Sequence, residues 1–206
     1  MSESWYDRHI LPYLIDFACG MDPLPEQRRK VVPRAQGRVL EVGIGTGLNL
    51  CHYDADNISH LIGLDPALQM HRLAEKRRVQ AGLDVELIGL SAEKIPLPDA
   101  SIDTVVITFT LCTIPDPLAA LREMKRVLVP GGKLLFCEHG ASPEPSVLKW
   151  QNRLTPYWKR VAGGCHMNRN IPELIREAGF TLEQDQREYL PGPRVLMYNY
   201  WGEAHA

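Results

Sequence analysis

The chain has 206 residues, of which 45% are hydrophobic and 23% are charged, and this composition is typical of one soluble globular domain. Its net charge of -2 gives no reason to expect nucleic acid as a partner. Basic clusters at 27–30 and 76–78 are interpreted as solvated helix faces, because acidic residues lie near them. The five cysteines contain no CxxC pair, which argues against a zinc site and a disulfide framework and fits a reducing cytoplasm.

Nothing in the sequence indicates a membrane protein. No apolar run reaches the roughly 18 residues that a membrane span requires, and the first residues lack a signal-peptide pattern. We therefore expect one cytoplasmic domain and leave its oligomeric state open. Its expected parts are an N-terminal cap at 1–36, a cofactor-binding core at 37–140, substrate-side helices at 141–180 and the last strands at 181–206.

The pattern along the chain predicts a doubly wound α/β domain with seven strands in one mostly parallel sheet. From residue 37 onward, short β-branched runs alternate with helical patterns, as in a sheet covered on both faces. The predicted strands are 38–42, 60–64, 85–89, 104–110, 133–138, 182–188 and 195–200. The predicted helices are 7–18 (outside the sheet), 48–53, 66–80, 117–129, 146–160 and 171–178. The helix at 117–129 is expected to stop at the Pro-Gly-Gly of 130–132, and the helices at 146–160 and 171–178 form an insertion before the last two strands.

The most informative segment is EVGIGTG at 41–47. Glycines that follow a strand let the backbone approach a ligand without a Cβ in the way. The third glycine, Gly47, comes one residue too early for the GxGxxG loop of dinucleotide-binding proteins. Glu41 is poorly suited to a pyrophosphate but well suited to a ligand with an amino group and a positive charge. This segment therefore favours S-adenosylmethionine over NAD.

A second acid, Asp65, ends the second predicted strand. It lies about 20 residues after the glycines, the offset at which an acid binds ribose hydroxyls. A carboxylate can accept both hydroxyl hydrogens. A helix cap before Pro66 is the alternative role.

The sequence resembles the class I S-adenosylmethionine methyltransferases of the ubiquinone-biosynthesis-like branch over about residues 37–138. The motifs are EVGIGTG at 41–47, LDP at 64–66, SAEKIPLPDASID at 91–103 and LREMKRVLVPGGKLL at 121–135. The resemblance implies a Rossmann-like methyltransferase fold and S-adenosylmethionine as cofactor. It implies that the cofactor-binding residues are Glu41, Gly43, Gly45, Gly47, Asp65, Pro66, Ala92, Glu93 and Thr108. In that family, the positions of Ala92 and Glu93 line the adenine and that of Thr108 lies beside the methionine moiety, while Ser91 stands where an aspartate is common.

A narrower resemblance covers the acceptor half. In the second half, the sequence is similar to the alkyl thiol methyltransferases of animals and their bacterial relatives. The similar segments are LCTIPDP at 111–117, FCEHG at 136–140, GGCHMNR at 163–169, Trp150 and Trp158-Lys159. This resemblance implies S-methylation of small thiols. The animal members have a membrane-anchoring N-terminus, whereas this chain begins with a charged segment, and we expect no membrane attachment.

The acceptor is expected above the carboxyl ends of the strands, where open α/β sheets bind ligands. His139 is the predicted catalytic residue, because histidine can take a proton from a thiol near neutral pH. The substrate-side candidates are Tyr6, Cys112, Glu138, Trp150, Cys165 and His166. Purely structural roles stay open for these residues: a hydrogen-bonded histidine, core tryptophans and small buried cysteines. We expect no metal ligands.

The leading functional hypothesis is methylation of a small molecule, with a thiol or hydrogen sulfide as acceptor. The alternatives are C-, O- or N-methylation of a quinone precursor or a phospholipid head group, and a non-catalytic protein that binds S-adenosylmethionine. The glycine spacing disfavours an NAD oxidoreductase. The lack of a basic face and of an NPPY-type tetrapeptide disfavours a nucleic-acid methyltransferase.

Overall fold

The computed structural model describes residues 5–206, apart from the side chain of Asp7. Residues 1–4 of the predicted N-terminal cap lie outside the described residues. The strands are β1 (Gly37–Val42), β2 (Ile58–Leu64), β3 (Val85–Ile88), β4 (Ile102–Thr108), β5 (Leu128–His139), β6 (Thr181–Tyr189) and β7 (Tyr198–His205). The helices are α1 (Trp5–His9), α2 (Leu11–Gly20), α3 (Leu24–Arg29), α4 (Leu68–Ala81), α5 (Pro117–Val127), α6 (Pro145–Val161) and α7 (Ile171–Glu177).

The seven strands form one sheet in the order β3-β2-β1-β4-β5-β7-β6. The first five strands pair in parallel, and β7 is antiparallel to both of its neighbours. This arrangement confirms the predicted seven-stranded, mostly parallel sheet and the helices inserted before the last two strands. The chain order reverses between β1 and β4, and this is the position at which open α/β sheets form a ligand crevice.

Alternating residues of the central strands supply two separate cores. Leu40 and Val105 pack with Met124 of α5 on one face of the sheet. Val39 and Val106 pack into a second core on the other face. Because both faces are covered, the central strands are apolar almost throughout, which is why they were readily predicted from the sequence.

Two predicted boundaries are wrong around helices. The helix at 48–53 is only a 3-10 turn at Leu50–His52, since the side chain of Asn49 turns inward to hydrogen-bond with Glu41. Helix α5 ends at Val127, and β5 begins at once, so the Pro-Gly-Gly of 130–132 belongs to an irregular strand start rather than to a helix terminator.

The predicted last strand, 195–200, is also displaced. Strand β7 runs from Tyr198 to His205, because it must pair with β5 along the stretch that ends at His139. Its second half contains Gly202 and Glu203, which are not typical strand residues. Gly202 is required by close packing, since a Cβ there would lie 1.9 Å from the carbonyl oxygen of Gln184 on β6.

Among the residues that the structure describes, no helix combines the length and the apolar character needed to cross a membrane.

Candidate functional site

A cavity of about 300 Å³ lies at the carboxyl edge of the sheet, between the ends of β1, β2 and β4. It is lined by the glycine loop, the start of α4, the turn at 91–92 and one face of α2. The structure brings seven of the nine expected cofactor-binding residues to this cavity: Glu41, Gly43, Gly45, Asp65, Pro66, Ala92 and Thr108. Gly47 and Glu93 lie just behind the lining.

The glycine loop needs its first two glycines for different reasons. Gly43 has a φ of +74°, and a Cβ there would lie 2.1 Å from the methyl carbon of Thr110. Gly45 has a φ of +52°, but a Cβ there would meet no atom closer than 3.8 Å, because the position faces the cavity. Backbone with no side chain in front of it is the surface on which a ligand can rest.

Asp65 holds the loop in place from the end of β2. One carboxylate oxygen accepts a hydrogen bond from the backbone N–H of Gly45 at 2.9 Å, and the other accepts from that of Ala67 at 2.8 Å. Burial raises the pKa of Asp65, while these two N–H groups oppose the shift. Asp65 therefore ties the turn before α4, as the helix-cap alternative predicts, and it also lines the cavity, where ribose binding stays a prediction.

Glu41 lies fully inside the site. It accepts hydrogen bonds from the amide of Asn49 at 2.9 Å and the hydroxyl of Tyr53 at 2.7 Å. Burial raises the pKa of Glu41 to about 7, although the hydrogen bond from Tyr53 and the charge of Arg28 work against the shift. A positively charged ligand beside Glu41 would therefore favour its ionised form near neutral pH.

Arg28 is a site residue that the sequence interpretation missed. The cluster at 27–30 was expected on a solvated face, but Arg28 is 5% exposed and lines the cavity. Its guanidinium donates to Asn49 Oδ1 at 2.9 Å and to Thr108 Oγ1 at 2.6 Å, and it lies 4.9 Å from the centre of the Phe109 ring. Its Nε is buried without a partner in the described chain. A signal was present in the sequence, since Arg28 lies three and four positions before the apolar Val31 and Val32, the spacing of one helical face.

The turn after β3 forms one wall, with Ser91 and Ala92 in the lining. Glu93 accepts a hydrogen bond from the backbone N–H of Asp116 at 2.8 Å and another from the hydroxyl of Ser91 at 3.1 Å. The Glu93 side chain therefore fixes the shape of the turn from outside the cavity.

Helix α2 closes the cavity as a cover, with Leu11, Ile15 and Cys19 facing inward. An ion pair ties this cover to α4: the guanidinium of Arg77 donates to Asp16 at 2.6 and 3.0 Å. Arg77 also donates to the carbonyl of Thr46 in the glycine loop at 2.7 Å. One partly buried pair thus connects the cover, the loop and α4.

Replacing Arg77 with methionine is expected to loosen this cover. Without the ion pair, the amides of α2 should exchange with deuterium about five- to thirtyfold faster, since partly buried charge pairs contribute roughly 1–2 kcal/mol. Hydrogen–deuterium exchange with mass spectrometry measures this directly. Arg78→Met is the matched control, because Arg78 is the next residue and pairs with Glu75 on the same helix. Unchanged exchange in Arg77→Met would show that α2 is held by packing alone.

Beside the cavity, three predicted residues come together as the sulfur–imidazole cluster, which consists of Cys112, His139 and Cys165. Their Sγ and ring nitrogen atoms all lie within 4.8 Å of one another, and His139 Nε2 is 3.3 Å from Cys165 Sγ. The cluster borders the cavity without being part of its lining.

Hydrogen bonds within the cluster shift the pKa values of its two thiols in opposite directions. The hydrogen bond from Cys112, together with that from His139, lowers the pKa of Cys165 to about 4 against the effect of burial. The same hydrogen bond and burial raise the pKa of the Cys112 thiol. Burial opposes a charge on His139, but its hydrogen bond with Cys165 outweighs this and raises the imidazole pKa. These interactions thus favour loss of the proton from Cys165 over loss of the proton from Cys112.

The other substrate-side candidates support the walls. Glu138 is buried and accepts from the backbone N–H groups of Thr110 and Leu111 at 2.8 and 3.0 Å, and burial raises its pKa to about 7. His166 lies 3.1 Å from the carbonyl of Cys112. The structure does not bring Tyr6 or Trp150 to the cavity: Tyr6 donates to the carbonyl of Val161, and Trp150 is 53% exposed.

Comparison with known proteins gives a consistent result. Residues 40–136 match the family model described as a methyltransferase domain. The chain is similar to thiol S-methyltransferase TMT1B, at 35% identity in both rat and human; the aligned regions cover 75% and 79% of this chain. The chain spans 64% of the rat protein's length and 70% of the human protein's.

Other relatives and solved structures extend the comparison. A phosphatidylethanolamine N-methyltransferase of Cereibacter sphaeroides is 35% identical over 62% of this chain and 64% of its own length. The crystal structure of an S-adenosylmethionine-dependent methyltransferase from Aquifex aeolicus has a TM-score of 0.64 at 20% identity, and the match covers 94% of this chain and 97% of that one. At that identity, the likeness shows the fold alone.

Proposed function

Because this chain belongs to the methyltransferase family and takes its methyl group from S-adenosylmethionine, we propose that it methylates the sulfur of a small thiol or of hydrogen sulfide. The observation that carries this proposal is the small, uncharged acceptor end of the cavity. Leu11, Ile15 and Cys19 of α2 form that end, together with Ile114 and Gly163. None of these side chains is charged.

The charged side chains of the cavity match the charged groups of the cofactor, and the exposed backbone of the glycine loop leaves room for it. S-adenosylmethionine carries an ammonium, a carboxylate and ribose hydroxyls. We assign the ammonium to Glu41, the carboxylate to the buried guanidinium of Arg28, and the hydroxyls to Asp65. The unpartnered Nε of Arg28 supports this assignment, since a buried donor without an acceptor is costly unless a ligand completes it.

The chain's own part in the reaction is mainly to position the acceptor and exclude water. When bound, S-adenosylmethionine supplies an electrophilic methyl group on a positively charged sulfur. Glu41, Arg28 and Asp65 orient it from one side, and the apolar face of α2 covers the acceptor from the other. Fixing two reactants in line accounts for a large share of the rate in such a transfer. A thiol as acidic as free cysteine, with a pKa near 8.5, is a few per cent ionised at pH 7 and needs only modest help to become a thiolate.

His139 acts from the sulfur–imidazole cluster rather than as a base in contact with the acceptor. Its ring nitrogen Nε2 faces Cys165 at 3.3 Å, and the ring is not part of the cavity lining. The proton of the acceptor is therefore assigned to solvent before the cover closes.

The cavity volume favours small thiols over the alternative acceptors. About 300 Å³ is at the low end for ligand pockets, and most of it is needed by the cofactor. A phospholipid head group carries a phosphate, for which the described acceptor end offers no cation. A quinone precursor would need more apolar room than this end provides.

The affinity for the cofactor is expected to rise about tenfold between about pH 6 and pH 8, because Glu41 must be ionised to pair with the ammonium. With its pKa at about 7, Glu41 is mostly neutral at the lower pH and mostly charged at the higher one. Calorimetric titration with S-adenosylhomocysteine, which keeps the ammonium, measures the effect. Glu41→Gln should bind weakly with no such rise. An equal rise in that variant would assign the titration to another group, such as Glu138.

The proposed function is tested by supplying labelled S-adenosylmethionine with a panel of acceptors. Alkyl thiols and hydrogen sulfide should be methylated, and matched alcohols, amines, quinols and phosphatidylethanolamine should not. Each thiol is compared with the alcohol of the same carbon skeleton, so that only the attacking atom differs. Methylation of any other acceptor with no thiol product would overturn the thiol proposal.

A further inference from the structure

The sulfur–imidazole cluster is built from three separate parts of the chain. Cys112 lies in the loop after β4, His139 ends β5, and Cys165 lies in the turn after α6. Folding alone brings their ligand atoms within 4.8 Å of one another. Sequence spacing could not reveal this grouping, because the rules for zinc motifs look for paired cysteines close together in the chain.

The spacing of these atoms suits a tetrahedral metal ion. Bonds of about 2.3 Å to sulfur and about 2.0 Å to histidine nitrogen place neighbouring ligand atoms roughly 3.5–3.8 Å apart. The distance from His139 Nε2 to Cys165 Sγ is 3.3 Å, slightly shorter than this range. The other two distances in the cluster are at most 4.8 Å. Small side-chain movements would complete the geometry.

The chemistry of the donors also suits a metal. His139 presents Nε2 to the cluster, 3.3 Å from Cys165 Sγ, and a neutral imidazole that binds a metal through Nε2 carries its proton on Nδ1. The indole N–H of Trp158 is buried without a well-formed hydrogen bond and lies beside Cys165. A donor in that position stabilises a sulfur that carries negative charge, as a metal-bound thiolate does.

We propose that Cys112, His139 and Cys165 bind one Zn²⁺ and that the acceptor's sulfur takes the fourth coordination position. Two cysteines and one histidine with an open fourth position form a known type of catalytic zinc site. The cluster borders the acceptor end, since Thr113, next to Cys112, and Gly163, two residues before Cys165, both line the cavity. The metal site stands on this geometry alone, whereas the role of its fourth position rests on the proposed function.

In this arrangement the zinc ion provides the thiolate. The S–H bond of the acceptor breaks, its proton passes to water, and a sulfur–zinc bond forms. Cys112 likewise releases its proton to water when the metal binds. The chain then needs no side-chain base at the acceptor, in keeping with the absence of His139 from the cavity lining.

The test uses the full chain, freed of metal with a chelator under reducing conditions and titrated with Co²⁺. We expect one ion per chain, with the charge-transfer absorption of cobalt thiolates, and displacement of that ion by Zn²⁺. Cys112→Ser/Cys165→Ser should lose the signal, while Cys51→Ser, at an exposed cysteine, should keep it. His139→Gln should weaken binding at least about tenfold, and it serves as the second variant if the double variant does not fold.

Three results would overturn the metal site. These are no stoichiometric binding by the wild-type chain, full binding by the double variant, or a Cys112–Cys165 disulfide in mass spectra of protein that was never reduced. The fourth position is tested by adding propanethiol to the cobalt-loaded protein, which should shift the cobalt spectrum. No shift from a thiol that is methylated would overturn the role of the fourth position and leave the metal site standing. Metal binding with no thiol methylated would overturn the proposed function alone.

Discussion

Replacing Asp65 with alanine is expected to weaken S-adenosylmethionine binding by at least about 100-fold, or about 2.7 kcal/mol. The loss has two sources. The carboxylate no longer accepts from the N–H groups of Gly45 and Ala67, so the glycine loop loses its anchor. The assigned contact with the ribose hydroxyls disappears as well. Each hydrogen bond to a charged group contributes roughly 1.5–3 kcal/mol.

Calorimetric titration with S-adenosylhomocysteine checks this expectation. Asp84→Ala is the control, because the Asp84 side chain is 96% exposed and far less constrained. The melting temperature of Asp65→Ala should fall, because the N–H groups of Gly45 and Ala67 lose their acceptor, so binding is compared at a temperature at which circular dichroism shows that the variant is folded. Wild-type affinity in Asp65→Ala would overturn the placement of the ribose.

The cofactor half of the fold could be predicted from the sequence because its features are local. The glycines of EVGIGTG follow a strand directly, and Asp65 ends the next strand. Since the carboxyl ends of parallel strands share one edge, residues at two strand ends must lie close together. No knowledge of distant contacts is needed for this step.

The residues that complete the site depend on distant contacts and were therefore missed. Asn49 and Tyr53 reach Glu41 only because the predicted helix at 48–53 is replaced by a tight turn. Arg28 reaches Thr108 across 80 positions of sequence. In each case a polar side chain is buried by partners that no local pattern specifies, and composition alone assigns such residues to the surface.

The grouping of the sulfur–imidazole cluster could not be predicted for the same reason. Cys112, His139 and Cys165 were each singled out from motifs, but their grouping depends on a loop and a turn with no regular structure. His166 and Arg169 hold that turn against the loop, with Arg169 donating to the carbonyls of Leu111 and Ile114. Irregular segments joined by side-chain hydrogen bonds leave no periodic signal in a sequence.

Arg28→Met is expected to weaken cofactor binding by about 100-fold, because a buried charge-assisted pair with a carboxylate is among the stronger hydrogen-bonded contacts. The substitution keeps an unbranched apolar stem and removes the guanidinium and its charge. Arg29→Met is the matched control: Arg29 is the next residue, its side chain is 59% exposed, and it pairs with the similarly exposed Glu26. The control should bind as the wild type does.

A ligand without the carboxylate separates recognition from a merely structural role. If Arg28 binds the cofactor's carboxylate, decarboxylated S-adenosylmethionine should bind Arg28→Met and the wild type with nearly equal affinity. If Arg28 only supports Asn49 and Thr108, the affinity of the variant should fall by the same factor for both ligands. The buried guanidinium lines the cavity with an unpartnered Nε, and this favours the first outcome. A binding loss that does not depend on the carboxylate would contradict the assignment and make Arg28 a positioning residue for the end of β4.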